Sequence, residues 1–278
     1  MQAIVTKGIE MAASCKGHVV WITGGGSGIG KALVEEFISR GAHVAISGRR
    51  VEKLQEVAKE LSTESAQVLP VVCDVTDSER VTAAVAEVVA HFGKLDIVIA
   101  NAGFGVAGKF DRITPEQWKG QFDTNVLGVV HTLQAAMPEV SKVNGRLAVV
   151  SSVMGKIAMS KSSPYVSSKF ALIGLCRSLQ IELHGSGVSL TNLLPGLVSS
   201  EINQVDNDGV FHPDREDRRP GKLMWEADKA AKVMADAVMK RKREYTFTGH
   251  GIVLASLGQH MPGLLHWAMT RFMKVERP

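Results

Sequence analysis

The stretch SSPYVSSKF (162–170) sets Tyr165 and Lys169 four residues apart, so on a helix they share one face. A phenol titrates near pH ~10 and an ammonium near ~10.4. Side by side they are either a proton-handling pair or one turn of an ordinary amphipathic helix. A second stretch, TGGGSGIG (23–30), joins an apolar run to a helical one. Gly24, Gly28 and Gly30 permit a tight turn and close approach of backbone to a ligand. The helix that follows offers amide donors and a positive dipole to a pyrophosphate. Methyltransferases and other nucleotide binders use similar loops. A position after the first strand of a βαβ unit favours a dinucleotide.

The second strand ends in SGRR (47–50), with no carboxylate to hold an NAD ribose. A guanidinium there suits a 2′-phosphate, so NADP(H) is favoured over NAD, with Arg49 as the main anchor. The other reading is that Arg49 and Arg50 merely open the next helix.

The elements that must position these groups follow a simple rhythm. HVVWIT (18–23), HVAIS (43–47), VLPVVCDV (68–75), LDIVIANAG (95–103), GRLAVVSS (145–152) and VSLTNLLPG (188–196) read as strands. Helical stretches lie between them at 30–41, 51–62, 78–92, 115–141 and 163–184. Near-uniformly apolar strands alternating with helices predict a single-domain α/β fold: a Rossmann-type, doubly wound parallel sheet covered by helices on both faces. Residues 1–16 read as a leader, either loose or a short surface helix, and 17–257 as the cofactor-binding catalytic domain. Within that domain 199–224 is polar and irregular, the character of a substrate lid. Residues 258–278 form a tail with Leu264, Leu265, Ala268, Met269 and Phe272 at helical spacing. That stripe is expected to pack on the body or on a second subunit, with a membrane-surface or substrate-channel role as the alternative.

Composition narrows the classes. Hydrophobic residues make up 45% and charged residues 22% of the 278, which is globular rather than disordered. A net charge of +4 is mildly basic and does not imply nucleic-acid binding, so no nucleic-acid partner is expected. The run Lys240–Arg243 reads as a solvated helix end, or as a surface for anionic lipid or an acidic partner. Three scattered cysteines, Cys15, Cys73 and Cys176, form neither a metal pattern nor a disulfide framework, which fits a cytoplasmic, reducing compartment. The histidines are scattered as well, so no metal is expected.

Read in order, the glycine loop, NAG (101–103), Asn125, Ser151-Ser152 and Tyr165-x-x-x-Lys169 resemble the short-chain dehydrogenase/reductase family over about residues 18–250. The resemblance implies reduction of a ketone by hydride from NADP(H), with Tyr165 donating the proton to oxygen. Lys169, with the oxidised nicotinamide, is expected to lower the tyrosine pKa and to hold the nicotinamide ribose. Ser152 rather than Ser151 would hydrogen-bond the substrate oxygen. Asn125 would support a water chain through Lys169. On the cofactor side, Asp74 would contact the adenine, Asn101 would border its ribose and Ile29 would pack near the pyrophosphate. Val198 would meet the carboxamide through its backbone. Ser200 stands where the family usually has threonine, and Ser27 where some NADP-binding members have a basic residue.

Phe104, Val106, Met154 and Leu197, with Val153 and Ile157, would wall an apolar pocket for a small-molecule or lipid ketone. TGGGSGIGKAL, AGFGVAGKFDRI and SSKFALIGLCRSLQIEL resemble 3-ketodihydrosphingosine reductases more narrowly, which implies a 3-ketosphinganine-like substrate. A 3-oxoacyl, steroid or xenobiotic ketone is the alternative, and a non-catalytic NADP-binding sensor is the alternative of another class. The family also implies a homodimer or homotetramer built on the helices around 115–141 and 163–184.

Overall fold

The computed structural model describes residues 13–217 and 219–272. Strands β1 (Val19–Thr23), β2 (His43–Gly48), β3 (Val68–Val72), β4 (Ile97–Ala100), β5 (Arg146–Val150), β6 (Ser189–Leu194) and β7 (Glu244–Thr246) form one parallel sheet in the order β3-β2-β1-β4-β5-β6-β7. The helices are α1 (Gly28–Ser39), α2 (Val51–Leu61), α3 (Ser78–Phe92), α4 (Pro115–Phe122), α5 (Gly128–Lys142), α6 (Ser163–Glu182), α7 (Ala227–Met239), α8 (Gly249–His260) and α9 (Pro262–Phe272).

Strand alternation sorts the core into two layers. Val20, Ile22, Val44 and Ile46 face α1 and α7, whereas Val19, Trp21 and Ala45 face α3, α5 and α6. Pro70 lies in β3, which is an edge strand and loses little by the missing donor. The strand order reverses between β1 and β4, and the carboxyl ends of these strands open a crevice there.

The structure departs from the sequence reading at several places. The helical region expected at 115–141 is two helices joined by one π turn, Asp123–Leu127. A Thr114–Gln117 capping box and Pro115 start α4. The boundary set at 257/258 falls inside α8. Most of the leader, 1–12, lies outside the described residues. Its end does not: Cys15 is fully buried and its N–H donates to Arg40 O (2.9 Å), so the chain is already in the core there.

Lys240–Arg243 is not simply a solvated end. Arg241 has φ 51° and donates to the carbonyls of Asn144, Gly145 and Gly187 at 2.6, 3.1 and 2.9 Å, tying the end of α7 to two loops. The tail stripe also splits. Leu265 and Met269 pack with Ala255 against Val153 and Ile157, while Leu264 and Phe272 remain exposed because only one face of α9 meets the body. Among the described residues no helix is long and apolar enough to cross a membrane.

Candidate active site

Thr23 ends β1, and its Oγ1 accepts from the N–H groups of Asn101 (3.0 Å) and Ala102 (3.1 Å). The Asn101 amide donates back to Thr23 O (2.9 Å) and Gly24 O (3.2 Å). The Asn101 side chain thereby fastens the NAG segment to the glycine loop. Gly24 (φ 68°) and Gly28 (φ 52°) turn the chain through the left-handed region. A Cβ on Gly30 would collide with Gly24 O, and one on Gly28 would stand 3.0 Å from Ser200 Cβ. The loop is therefore a cradle whose floor only glycine can form, and Ser200 closes over it. Ile29 is half-buried against the α1 layer. Asp74 accepts from Thr76 N and Oγ1, both at 2.9 Å, and so stiffens the turn after β3.

The end of β2 divides its two arginines. Arg49 is exposed and donates to Gly209 O (2.8 Å). Arg50 donates to Ser27 Oγ (3.1 Å) in the glycine loop and to Glu201 Oε2 (2.8 Å). Its Nη1 is buried without a hydrogen-bond partner.

The chemistry-bearing groups converge beyond β5. Ser151 donates to Asn192 Oδ1 (2.6 Å) and is fixed to the neighbouring strand. Ser152, one residue on and facing the other way, accepts from Met154 N (3.1 Å) and hydrogen-bonds Tyr165. Alternation thus turns Ser152 toward Tyr165 and Ser151 toward Asn192. Lys169 is 6% exposed, donates to Val150 O (3.1 Å) and holds Nζ 5.5 Å from the Tyr165 ring centre. Burial pushes this ammonium down to about 8.

Among the protein's own groups Tyr165 is governed by its burial. Burial raises the phenol, and the pull downward comes from the Ser152 hydrogen bond and the Arg219 charge rather than from Lys169. Desolvation outweighs both, so the proton stays on the phenol.

Asn125 is 1% exposed in the π turn. Its Oδ1 accepts from Phe104 N (3.1 Å) and its Nδ2 donates to Phe104 O (3.0 Å) and Ser168 Oγ (3.3 Å). It clamps the chain after NAG to α6, the helix that carries Tyr165 and Lys169. A π turn inserts one residue and often marks a functional site. Of the expected pocket wall, Met154 and Leu197 are half-buried and Phe104 is nearly buried. Val106 is fully buried with Phe104, Ile113 and Trp118, so it supports the wall from behind. Val153 and Ile157 face the tail instead. Val198 is 2% exposed, and its carbonyl accepts from Arg219 Nη1 (2.9 Å).

The short chain dehydrogenase family profile matches residues 18–210 of this chain. The chain belongs to that family.

The 11-beta-hydroxysteroid dehydrogenase 1A of Arabidopsis thaliana is 34% identical to this short-chain dehydrogenase over 239 residues, 83% of this chain and 68% of that protein. The alcohol dehydrogenase of Thermococcus sibiricus, solved with 5-hydroxy-NADP, superposes with TM-score 0.72 at 27% identity, covering 83% of this chain and 95% of that one. A Burkholderia phymatum short chain dehydrogenase/reductase in complex with NAD shares the fold, with TM-score 0.79 and 24% identity over 95% of this chain and 98% of that one.

Three residues of this short-chain dehydrogenase's site escaped the sequence reading. Gln121 is fully buried; its Oε1 accepts from Val106 N (2.6 Å) and its Nε2 donates to Phe104 O (2.8 Å). Its place four residues before Asn125 was a usable signal. Arg219 and Glu201 had none, because they reach the site from a segment without periodicity.

Proposed function

We propose that this short-chain dehydrogenase uses NADPH to reduce a ketone to a secondary alcohol, on an apolar or lipid-like substrate such as a 3-ketosphinganine. The observation that carries the reading is the Ser152–Tyr165 hydrogen bond beside a buried Lys169. The glycine cradle and the unpartnered Nη1 of Arg50 fit a dinucleotide with phosphate groups. Gly24, Ser27, Gly28, Ile29, Gly30, Asp74, Asn101, Val198 and Ser200 would hold it, with Arg49 toward a 2′-phosphate.

A nicotinamide, when bound, supplies the hydride. Tyr165 keeps its proton because burial raises the phenol, which suits a donor to a carbonyl oxygen. Ser152 would hydrogen-bond that oxygen as charge builds on it. Lys169, depressed to about 8, is poised to restore the proton to Tyr165. Asn125 and Gln121 act through Phe104 as positioning residues.

Phe104, Met154 and Leu197 support an apolar substrate. The name of the Arabidopsis relative favours a steroid ketone as a second reading. Exposed Ile252, Val253, Leu264, Trp267 and Phe272 on α8 and α9 support contact of the tail with a membrane surface. Exposed Phe170 and Ile181 on α6 support self-association.

The test is NADPH oxidation against a 3-ketosphinganine, a 3-oxoacyl thioester, a steroid ketone and a small aryl ketone, each repeated with NADH. Selective NADPH-dependent turnover of the sphinganine is the expected result. Preference for NADH would overturn the cofactor, and turnover of another member alone would replace the substrate.

A further inference from the structure

Two helices begin at the same spot. Ser27 is the N-cap of α1 and Arg50 the N-cap of α2, and neither side chain caps its own helix. Two positive helix ends and a guanidinium together make an anion site. The site already holds an anion of the protein's own. Glu201, from the lid, places Oε2 2.8 Å from Arg50 Nη2, the same nitrogen that donates to Ser27 Oγ. Phe211, also from the lid, lies 4.6 Å from the Arg50 guanidinium carbon and fixes the plane of the fork. The second nitrogen of the fork, Nη1, is buried and has no hydrogen-bond partner. A single carboxylate oxygen therefore satisfies one side of a group built to bind a planar or tetrahedral oxyanion at two points.

We propose that Arg50 is the phosphate anchor of the adenosine end and that Glu201 is its built-in counter-anion, so that this pair sets the preference for a dinucleotide bearing a 2′-phosphate. The inference rests on the NADP(H) reading above and moves its anchor from Arg49 to Arg50. A 2′-phosphate brings enough oxygens to take both Nη1 and Nη2, and it displaces Glu201. A 2′-hydroxyl brings no charge and leaves Glu201 in place. The carboxylate has somewhere to go: a cavity of about 580 Å³ lies beside it, lined among others by Lys31, Ser200, Glu201 and Gln204. The exchange has a cost, because Glu201 competes with the phosphate, and that competition is what a variant can remove.

The experiment is calorimetric titration of wild type, Glu201→Gln, Arg50→Gln and the double variant with NADPH, NADH, 2′-AMP and inorganic phosphate, with melting curves to verify folding. Glu201→Gln is expected to tighten NADPH and 2′-AMP roughly tenfold and to leave NADH within about twofold. Arg50→Gln is expected to weaken NADPH at least about tenfold, to spare NADH, and to erase the effect of Glu201→Gln in the double variant. Equal changes for NADPH and NADH in Glu201→Gln, or none for either, overturn the inference alone. Tightening of inorganic phosphate without 2′-AMP assigns the site to free phosphate and overturns it too. A wild type that binds NADH but not NADPH overturns the cofactor reading itself, and the inference with it.

Discussion

The Ser152–Tyr165–Lys169 cluster and the segment 199–224 are held by opposite means. Ser152 sits just beyond β5, Tyr165 and Lys169 on α6 and Asn125 in the π turn, and their bonds are largely buried and run to fixed backbone. Among the described residues of 199–224 the helical elements are short 3₁₀ turns at Glu201–Gln204 and Gly221–Leu223. The segment is fastened by polar bonds that are solvent-exposed, Arg49 to Gly209, Asn207 to both backbone groups of Ala107, Gln117 to Asp208 and Arg219 to Asp217, or only partly buried, Arg219 to Val198 and Ser200. Buried bonds cannot be exchanged for water without penalty, whereas exposed ones can. The difference separates a part held fixed from a part that opens at lower cost.

The largest effect should fall on chemistry alone. Tyr165→Phe is expected to lower turnover by about 10²–10⁴-fold with NADPH affinity nearly unchanged, measured by steady-state rates and titration. A matching loss of affinity would show that the two ends of the site are not independent.

Lys169→Met should also stop turnover, yet stabilise the ligand-free protein. The folded ammonium titrates at about 8 against an ordinary value of 10.5. Between those values the unfolded chain binds more protons, so the stability contribution of Lys169 rises with pH through that window and its penalty is complete below it. The variant should therefore melt higher than wild type at pH 7, by about 2–4 °C for each kcal/mol of penalty removed, with the gap closing toward pH 10.5. A gap independent of pH would mean that the lysine is not held depressed.

Asn125→Leu strands the Phe104 N–H, while the Phe104 carbonyl keeps its Gln121 donor, at an expected loss of about 1–3 kcal/mol in urea unfolding together with reduced turnover. Arg219→Ala should do least to global stability, within about 0.5–1 kcal/mol. It should still speed hydrogen exchange in 199–224, which sharpens the contrast if the catalytic helix keeps its protection.

Much of the cofactor end was legible in the residues. A Cβ does not fit at Gly30, and the glycine spacing carried that; the choice of Ser152 over Ser151 came from the family's serine-to-tyrosine spacing. The π turn was not legible, because an inserted residue leaves composition unchanged and shows only as a shift of helical phase. Asn125 was therefore found by family order, and Gln121 was passed over. Arg49 was favoured over Arg50 on sequence position, but the two side chains diverge, one to the lid backbone and one to the glycine loop.

By itself the sequence determined the parallel α/β sheet, the glycine cradle and the positions of Ser152, Tyr165 and Lys169, because each depends on local period, backbone freedom or spacing within one element. Only the tertiary structure decided the direction of the Tyr165 shift, the partners of Arg50 and the reach of Glu201 and Arg219 into the site. Those depend on desolvation and on contacts between segments far apart in the chain, such as the 151 residues between Arg50 and Glu201.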